Sequence, residues 1–254
     1  MTLSTPTYLV GLDLGTRHDY TALSVLQQHV LPGSRTAATL ADQYDPVRVS
    51  SEHEYRYDLI ELTRWRGEGY SATIPKLRAL LPTLRQAGFQ QQWDAGRPAQ
   101  YEPNVTLVVD HTGVGIAVVD EIRNAGIPCQ GITITGGDQI TNDRDDWRVP
   151  KRELVARTQV LLETKRLKIA STLPLAATLV AEFDNFRSKK AVLTGHDSYG
   201  AGQDWREGHH DDLVLSVAMA AWFGEHHATE DIESMESHIA LQSYLRASGH
   251  PGYR

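Results

Sequence analysis

Cysteine and long apolar segments are both scarce in this sequence. Its 254 residues include a single cysteine, Cys129, which excludes an internal disulfide and hence a disulfide-stapled secreted domain. The first apolar run, over residues 8–12, is too short for a signal peptide or a membrane span. We therefore expect a cytoplasmic protein that has no membrane partner.

A surplus of positive charge is absent as well. The formal net charge is −7, so the chain is not coated with positive charge for general nucleic-acid binding, although a local basic groove is compatible with this balance. Aspartates gathered around metal ions would account for part of the negative charge.

The sequence does contain an alternation of strand and helix patterns. β-rich runs predict five strands, and the first two flank a GTRHDY turn and form a hairpin. The runs are YLVGLDL, TALSVLQQ, EYRYDLIELTRWR, VTLVVD and IPCQGITIT. Apolar residues at helical spacing predict helices in SATIPKLRALLPTLRQAG, GVGIAVVDEIRNAG, PKRELVARTQVLLETKRLKIA, LPLAATLVAEFDNFR and HHDDLVLSVAMAAW. This order indicates one α/β domain.

The connections carry their own predictions. Gly88 and Gly126 stand where a glycine would end a helix. Residues 30–53 and 136–147 are polar and lack a clear period, which predicts loops. Paired β-rich runs around Gly and Asp over residues 188–206 predict a hairpin before the last helix.

Acidic residues stand at the ends of three predicted elements. Asp13 ends the first strand, Asp110 ends VTLVVD, and Asp211 and Asp212 open the last helix. If the first strand and VTLVVD are parallel neighbours, Asp13 and Asp110 face the same crevice beyond the sheet. Each acid has a simpler explanation, as a turn residue or a helix N-cap. Their coincidence favours a site, because a buried carboxylate such as Asp13 is expensive unless something offsets its charge.

Metal ions would offset that charge. Carboxylate oxygens are the ligands that Mg²⁺ and Mn²⁺ prefer in proteins. Two such ions ~3.5–4 Å apart can hold the attacking and the leaving oxygens of a phosphodiester in line. The aspartates therefore predict a site that binds two divalent cations, Mg²⁺ or Mn²⁺, and no organic cofactor.

Two further groups lie next to the last acids. His209 precedes Asp212 by three residues and is either a metal or proton-transfer residue or a loop residue in solvent, whereas His210 is expected in solvent. Basic residues at the base of the predicted hairpin are either a solvated surface or an arm that contacts DNA phosphates. They are Arg187, Lys189 and Lys190.

Four blocks of sequence resemble a known family. They are GLDLGTRHDYTALSV, VTLVVDHTGVGIAVVDEI, PKRELVARTQVLLETKRLKI and GHHDDLVLSVAMA, which together span roughly residues 8–224. These blocks resemble the C-terminal nuclease domain of phage terminase large subunits, a member of the RNase H-like superfamily. The resemblance implies a metal-dependent endonuclease that cleaves double-stranded DNA during genome packaging.

The same resemblance implies an architecture and partners. It predicts an RNase H-like α/β fold over residues 1–226, with a mixed sheet of five or more strands flanked by helices and a β-hairpin before the last helix. A C-terminal helix and flexible tail are expected over residues 227–254. Implied partners are double-stranded DNA and a separate packaging ATPase, small terminase or portal protein, in the bacterial host of a phage or prophage.

The resemblance also assigns roles to residues. The first family acid, which bridges the two ions, maps to Asp13, and the second maps to Asp110. The third maps to Asp212 with Asp211 close by, and a histidine three positions before the last acid also occurs in relatives, as His209 does here. Asp19, in the DYTA turn, fits a structural role better.

Other functions begin from the same residues. The family's ATPase motif, G-x-x-x-x-G-K-[ST], is absent from this sequence, so the chain is not expected to translocate DNA by itself. A RuvC-like junction resolvase would share the acids. An actin-like ATPase or sugar kinase would share GLDLGT as a phosphate loop but leaves HHDD unexplained. A non-enzymatic module that binds a portal or capsid is a further alternative.

Overall fold

The computed structural model describes seven stretches of the chain, residues 6–15, 19–31, 54–68, 70–96, 102–113, 115–192 and 211–227. The strands are β1 (Thr7–Asp13), β2 (Thr21–Leu31), β3 (Glu54–Trp65), β4 (Asn104–Asp110), β5 (Gln130–Thr135), β6 (Thr141–Asp143), β7 (Asp146–Pro150) and β8 (Leu167–Ile169). The helices are α1 (Thr73–Asp94), α2 (Gly115–Asn124), α3 (Lys151–Glu163), α4 (Ala176–Val192) and α5 (residues 212–227), and a 3-10 turn, Tyr70–Ala72, precedes α1. Among these residues, no helix is long and apolar enough to cross a membrane.

The strands form one sheet in the order β6-β7-β5-β4-β1-β2-β3-β8. β1, β2 and β3 pair antiparallel, whereas β4 is parallel to β1, β5 to β4 and β7 to β5. The sheet is therefore mixed, with a hairpin on one side of β1 and parallel strands on the other. The predicted α/β fold with a mixed sheet of five or more strands flanked by helices is confirmed, and the five predicted strands are β1 to β5.

Two apolar cores cover the two faces of the sheet. Successive side chains of a strand point to opposite faces. In β1, Tyr8, Val10 and Leu12 pack in the core with α1 and α2, whereas Leu9 packs in the core with α3, α4 and α5. By the same alternation, Asp13 lies on the face that α5 covers.

Helix α5 lies directly on the backbone of β1. A Cβ atom at Gly11 would overlap the carbonyl oxygen of Ser216, so only glycine allows this close approach. Near the other end of the helix, a Cβ atom at Gly224 would lie 2.8 Å from Cε1 of Tyr57. Because Ser216 lies over the second half of β1, the first turn of α5 points toward Asp13.

The C-terminal end of α5 is tied to two other elements. Arg166, just after α3, donates to both carboxylate oxygens of Glu225, at 2.8 and 3.0 Å. The hydroxyl of Tyr57, on β3, donates to the same carboxylate at 2.9 Å. Arg166 and Glu225 are only 14% and 13% exposed, so this ion pair is largely removed from water. This ion pair fixes the C-terminal end of α5 against the sheet.

One of the two helix ends predicted from glycines is wrong. Helix α1 does not end at Gly88 but continues to Asp94. Gly88 serves packing instead, because a Cβ atom there would lie 2.6 Å from Cβ of Pro103, at the entrance to β4. Gly126, in contrast, follows α2 with φ +78°, as a glycine that ends a helix does.

The stretch predicted as a polar loop over residues 136–147 contains a hairpin, since β6 pairs with β7. Trp147 of β7 packs edge-on against Trp222 of α5, with ring centroids 5.5 Å apart. Burial against α5 therefore stabilises strand structure in a segment whose sequence is mostly polar. The hairpin predicted over residues 188–206 is also wrong as far as Val192, because α4 continues through an uninterrupted run of helix-compatible residues. Its remainder, like residues 32–53 of the predicted long loop, lies outside the described residues.

Candidate functional site

The carboxyl ends of β1 and β4 bring two acids side by side. The strands pair in parallel with Leu12 opposite Val109, so Asp13 and Asp110 are the next pair along. Their carboxyl groups lie close enough to shift each other's pKa, and the charges of Asp211 and Asp212 also act on Asp13. The structure thus brings together the four aspartates singled out in the sequence.

Burial and mutual repulsion dominate the electrostatics of this pair. Asp13 is only 6% exposed. Burial first, and then the charges of Asp110, Asp212 and Asp211, raise its pKa well above the usual range for a carboxyl. Burial also raises the pKa of Asp110, although the backbone N–H of Thr112, which donates to its Oδ1 at 2.8 Å, acts in the opposite direction. A neutral or metal-bound carboxyl suits this environment better than a bare carboxylate.

Asp212 experiences the same environment from the side of α5. Burial, followed by the charges of Asp211 and Asp19, raises its pKa to about 7, and Arg64 opposes that rise. Asp19 in the DYTA turn therefore lies close enough to act on the site electrostatically. Its predicted structural role stays a prediction.

A lysine compensates the charge of Asp211. The Nζ atom of Lys151, at the start of α3, lies 2.9 Å from Oδ2 of Asp211. The carbonyl of Asp211 accepts the N–H of Leu215 at 2.9 Å, which is the first backbone bond of α5 and marks Asp211 as the N-cap position. Of the two aspartates, Asp212 is therefore the better candidate for a metal ligand.

Glu182 of α4 is a buried acid that the sequence reasoning missed. It is 6% exposed, and its Oε2 accepts the backbone N–H groups of Leu213 and Val214 at 3.1 and 3.3 Å. Nη1 of Arg64 lies 3.5 Å from its other oxygen, and burial raises the pKa of Glu182 to about 7. The available signal was spacing, since Glu182 follows the buried Leu179 by three residues on the inner face of α4.

Comparisons with known proteins find similar folds among solved structures, whereas no family model and no curated protein matches this sequence. The similar structures are terminase nucleases. That of the large terminase nuclease from thermophilic phage G20c with bound magnesium is 21% identical, over 85% of this chain and 80% of that one, with a TM-score of 0.44. The Mn-soaked, inhibitor-bound nuclease domain of the human cytomegalovirus terminase is 11% identical, over 85% and 81%, with a TM-score of 0.42. This likeness concerns the fold alone.

A basic rim lies at the same edge of the sheet as the acids. Trp65, at the end of β3, pairs with Thr21, at the start of β2, which places the RWR segment beside the DYTA turn. The guanidinium carbons of Arg64 and Arg66 lie 4.3 and 5.1 Å from the centre of the Tyr20 ring. Arg66 is exposed to solvent. The sequence reasoning missed this rim, whose signal was two arginines at the end of a predicted strand.

The side chains of the remaining predicted residues lie outside the part of the chain that the structure describes. His209 and His210 lie outside the described residues, and Arg187, Lys189 and Lys190 belong to the last turns of α4, whose side chains are likewise outside the description. Among the side chains that are described, no three His, Cys, Asp or Glu form a ready-made metal cluster. The acids therefore share an electrostatic environment without being arranged as a coordination shell.

Proposed function

We propose that this chain is a divalent-metal-dependent endonuclease that cleaves double-stranded DNA. The main support is the convergence of Asp13, Asp110 and Asp212, from three separate elements, on one buried edge of the sheet. Such carboxylates repel one another in a low-dielectric environment, and a bound cation would replace that repulsion by attraction. Because the donors are carboxylate oxygens, Mg²⁺ or Mn²⁺ suits them.

The positions of the acids suggest how two ions would be divided among them. Both Asp110 and Asp212 act on the pKa of Asp13, so we assign Asp13 to both ions, Asp110 to one and Asp212 to the other. Bound ions would supply Lewis-acid stabilisation of the attacking and leaving oxygens of the phosphodiester. Lys151 holds Asp211 beside this set, and we assign His209, three residues before Asp212, an assisting role.

The DNA backbone would run along the same edge of the sheet. Arg66 is exposed at the rim and can donate to phosphate oxygens, while Arg64 reaches toward the buried Glu182. We propose a second phosphate contact through Arg187, Lys189 and Lys190. Contacts of this kind set the register of a duplex without reading its sequence.

The biological setting follows from the sequence resemblance. We propose that the chain cleaves DNA during phage or prophage genome packaging in the bacterial cytoplasm. Its partners there would be a separate packaging ATPase, a small terminase or a portal protein. One of the similar structures has bound magnesium and another was soaked with manganese. We propose Mg²⁺ or Mn²⁺ here on the chemistry of the donors.

Plasmid cleavage tests the proposed activity. Supercoiled plasmid is incubated with the protein in Mg²⁺, in Mn²⁺ or in EDTA, and nicked and linear products are quantified. Asp13→Asn removes one charge at nearly constant volume, and Asp120→Asn makes the same change on the exposed face of α2. We expect cleavage to require metal and to remain at the wild-type level in Asp120→Asn. In Asp13→Asn, the cleavage rate should fall by more than roughly 10–100-fold, the loss typical of changes outside the metal ligands.

Two results would contradict the proposal. Cleavage that survives both EDTA and Asp13→Asn would exclude this site as the source of the activity. Metal-dependent ATP hydrolysis without DNA cleavage would favour the actin-like or sugar-kinase alternative. A strong preference for four-way junctions over linear duplex would identify a resolvase that uses the same acids.

A further inference from the structure

The first turn of α5 is capped from another helix. In most helices the N-cap side chain accepts the N–H of the second or third helical residue. Here Asp211 occupies the N-cap position, and the second and third residues are Leu213 and Val214. Their N–H groups are accepted by Glu182 of α4, at 3.1 and 3.3 Å. A carboxylate distant in sequence therefore takes over the usual task of the N-cap.

This arrangement changes what the neighbouring aspartates do. Because Glu182 accepts both amides, the carboxylate of Asp211 is turned to Lys151, 2.9 Å away. Asp212 follows directly, on the turn that Glu182 holds. The second and third amides of the helix are thus capped by Glu182 and not by Asp211 or Asp212.

Both oxygens of Glu182 are engaged in this role. Oε2 accepts the two backbone amides, and Oε1 faces the guanidinium of Arg64 at 3.5 Å. The side chain is 6% exposed and lies within the packing between α4 and α5. A carboxylate committed in this way orients its neighbours rather than binding a metal ion itself.

We propose that Glu182 is a positioning residue, which fixes the first turn of α5 and thereby the direction of Asp212 toward Asp13. This inference rests on the proposed function, because it concerns how the same site is assembled. It predicts that the affinity for metal depends on a hydrogen-bond acceptor at position 182. The charge of the side chain matters less than the acceptor.

The test compares metal binding and cleavage in four proteins. They are the wild type, Glu182→Gln, which keeps an acceptor oxygen, Glu182→Leu, which removes it, and Glu225→Gln. The last variant weakens the anchor at the opposite end of the same helix. Mn²⁺ binding is measured by titration calorimetry, and plasmid cleavage is followed as a function of Mg²⁺ concentration.

We expect Glu182→Leu to raise the Kd for Mn²⁺ and the Mg²⁺ concentration for half-maximal cleavage by about 10–100-fold. Glu182→Gln should stay within about fivefold of the wild type, since it retains an acceptor. Glu225→Gln should lower the melting temperature without changing the metal response. A folded Glu182→Leu with wild-type metal response would overturn the proposal. A Glu182→Gln as impaired as Glu182→Leu would also overturn it, because Glu182 would then act as a charged ligand.

Hydrogen exchange without metal keeps the proposal testable if Glu182→Leu does not fold. In Glu182→Gln, the neutral amide oxygen is a weaker acceptor than the carboxylate, so the amides of Leu213 and Val214 should exchange a few-fold faster than in the wild type. The amide of Val217, deeper in α5, should exchange at the wild-type rate. Unchanged exchange at all three would exclude the capping role. Because this measurement needs neither metal nor DNA, it separates failure of this inference from failure of the proposed function, in which the wild type would bind no Mn²⁺ and cleave no plasmid.

Discussion

The two ends of α5 use buried acids in opposite ways. At the C-terminal end, Glu225 accepts from Arg166 and from Tyr57. At the N-terminal end, burial and neighbouring acids raise the pKa of Asp13 and Asp212. The same helix thus has a compensated ion pair at its C-terminal end and several neighbouring acids at its N-terminal end.

The difference separates what stabilises the fold from what the site requires. A compensated buried ion pair positions an element, whereas repelling carboxylates destabilise the folded chain unless they bind something. Natural proteins tolerate such local destabilisation mainly where function requires it. The C-terminal end of α5 therefore anchors the helix, and the N-terminal end carries the proposed chemistry. Each prediction below tests one side of this division.

The largest expected effect on stability is at the anchor. Arg166→Leu leaves Glu225 buried without its cation, and removing one partner of a buried pair typically costs about 3–5 kcal/mol. Chemical denaturation should show this loss in the free energy of unfolding. Arg157→Leu provides the control, because Arg157 is 53% exposed and its Nε lies as far as 3.9 Å from Glu153. The free energy of unfolding should therefore fall by less than about 1 kcal/mol in this variant. Equal losses in both variants would mean that the anchor is no stronger than a surface pair.

The opposite sign is expected at the other end of the helix. In metal-free protein, the carboxyl of Asp13 is costly to bury, because it must either stay charged beside Asp110 and Asp212 or take up a proton. Asp13→Asn removes that cost and should raise the free energy of unfolding by about 1–3 kcal/mol. The same variant should lose the stabilisation that Mn²⁺ gives to the wild type. Thermal unfolding in EDTA and in Mn²⁺ measures both effects. A metal-free Asp13→Asn that is less stable than the wild type would show that the carboxylate serves the fold.

The pH dependence of metal-free stability should follow from the same acids. Because the pKa of Asp212 is raised from 3.8 to about 7, the folded protein keeps a proton that the unfolded chain has already lost in this window. The free energy of unfolding should therefore fall as the pH rises from about 4 to 7 in EDTA. Asp212→Asn should reduce that slope, as measured by denaturation across the range. An identical slope in the variant would assign the pH dependence to other groups.

Sequence patterns predicted the acids better than the residues that orient them. Asp13 and Asp110 could be predicted as site residues because each ends a strand, and the ends of parallel strands meet at one edge of the sheet. Glu182 was not, since its partners are backbone amides 31 and 32 residues away, which no local pattern encodes. Trp147 in β7 was missed for a related reason, because its burial depends on contact with α5. Local periodicity gives elements and their ends, whereas contacts between distant elements need the folded chain.

The smallest expected effect concerns where DNA lies along β3. Arg66 is exposed at the end of this strand near the acids, and Arg56 near its start is paired with Asp58 at 2.9 Å, at the anchor end of α5. If DNA follows the acidic end, Arg66→Gln should weaken binding a few-fold and reduce the dependence of log K on log[salt] by about 0.9, the loss of one phosphate contact. Arg56→Gln should leave that slope unchanged. Fluorescence anisotropy of a labelled duplex, in Ca²⁺ and at several salt concentrations, measures it. Equal slopes in the wild type and Arg66→Gln would mean that the duplex does not contact Arg66. Charge reversal at Lys189 and Lys190 would then be the next test. A reduced slope in that variant would assign the phosphate contacts to the segment before α5.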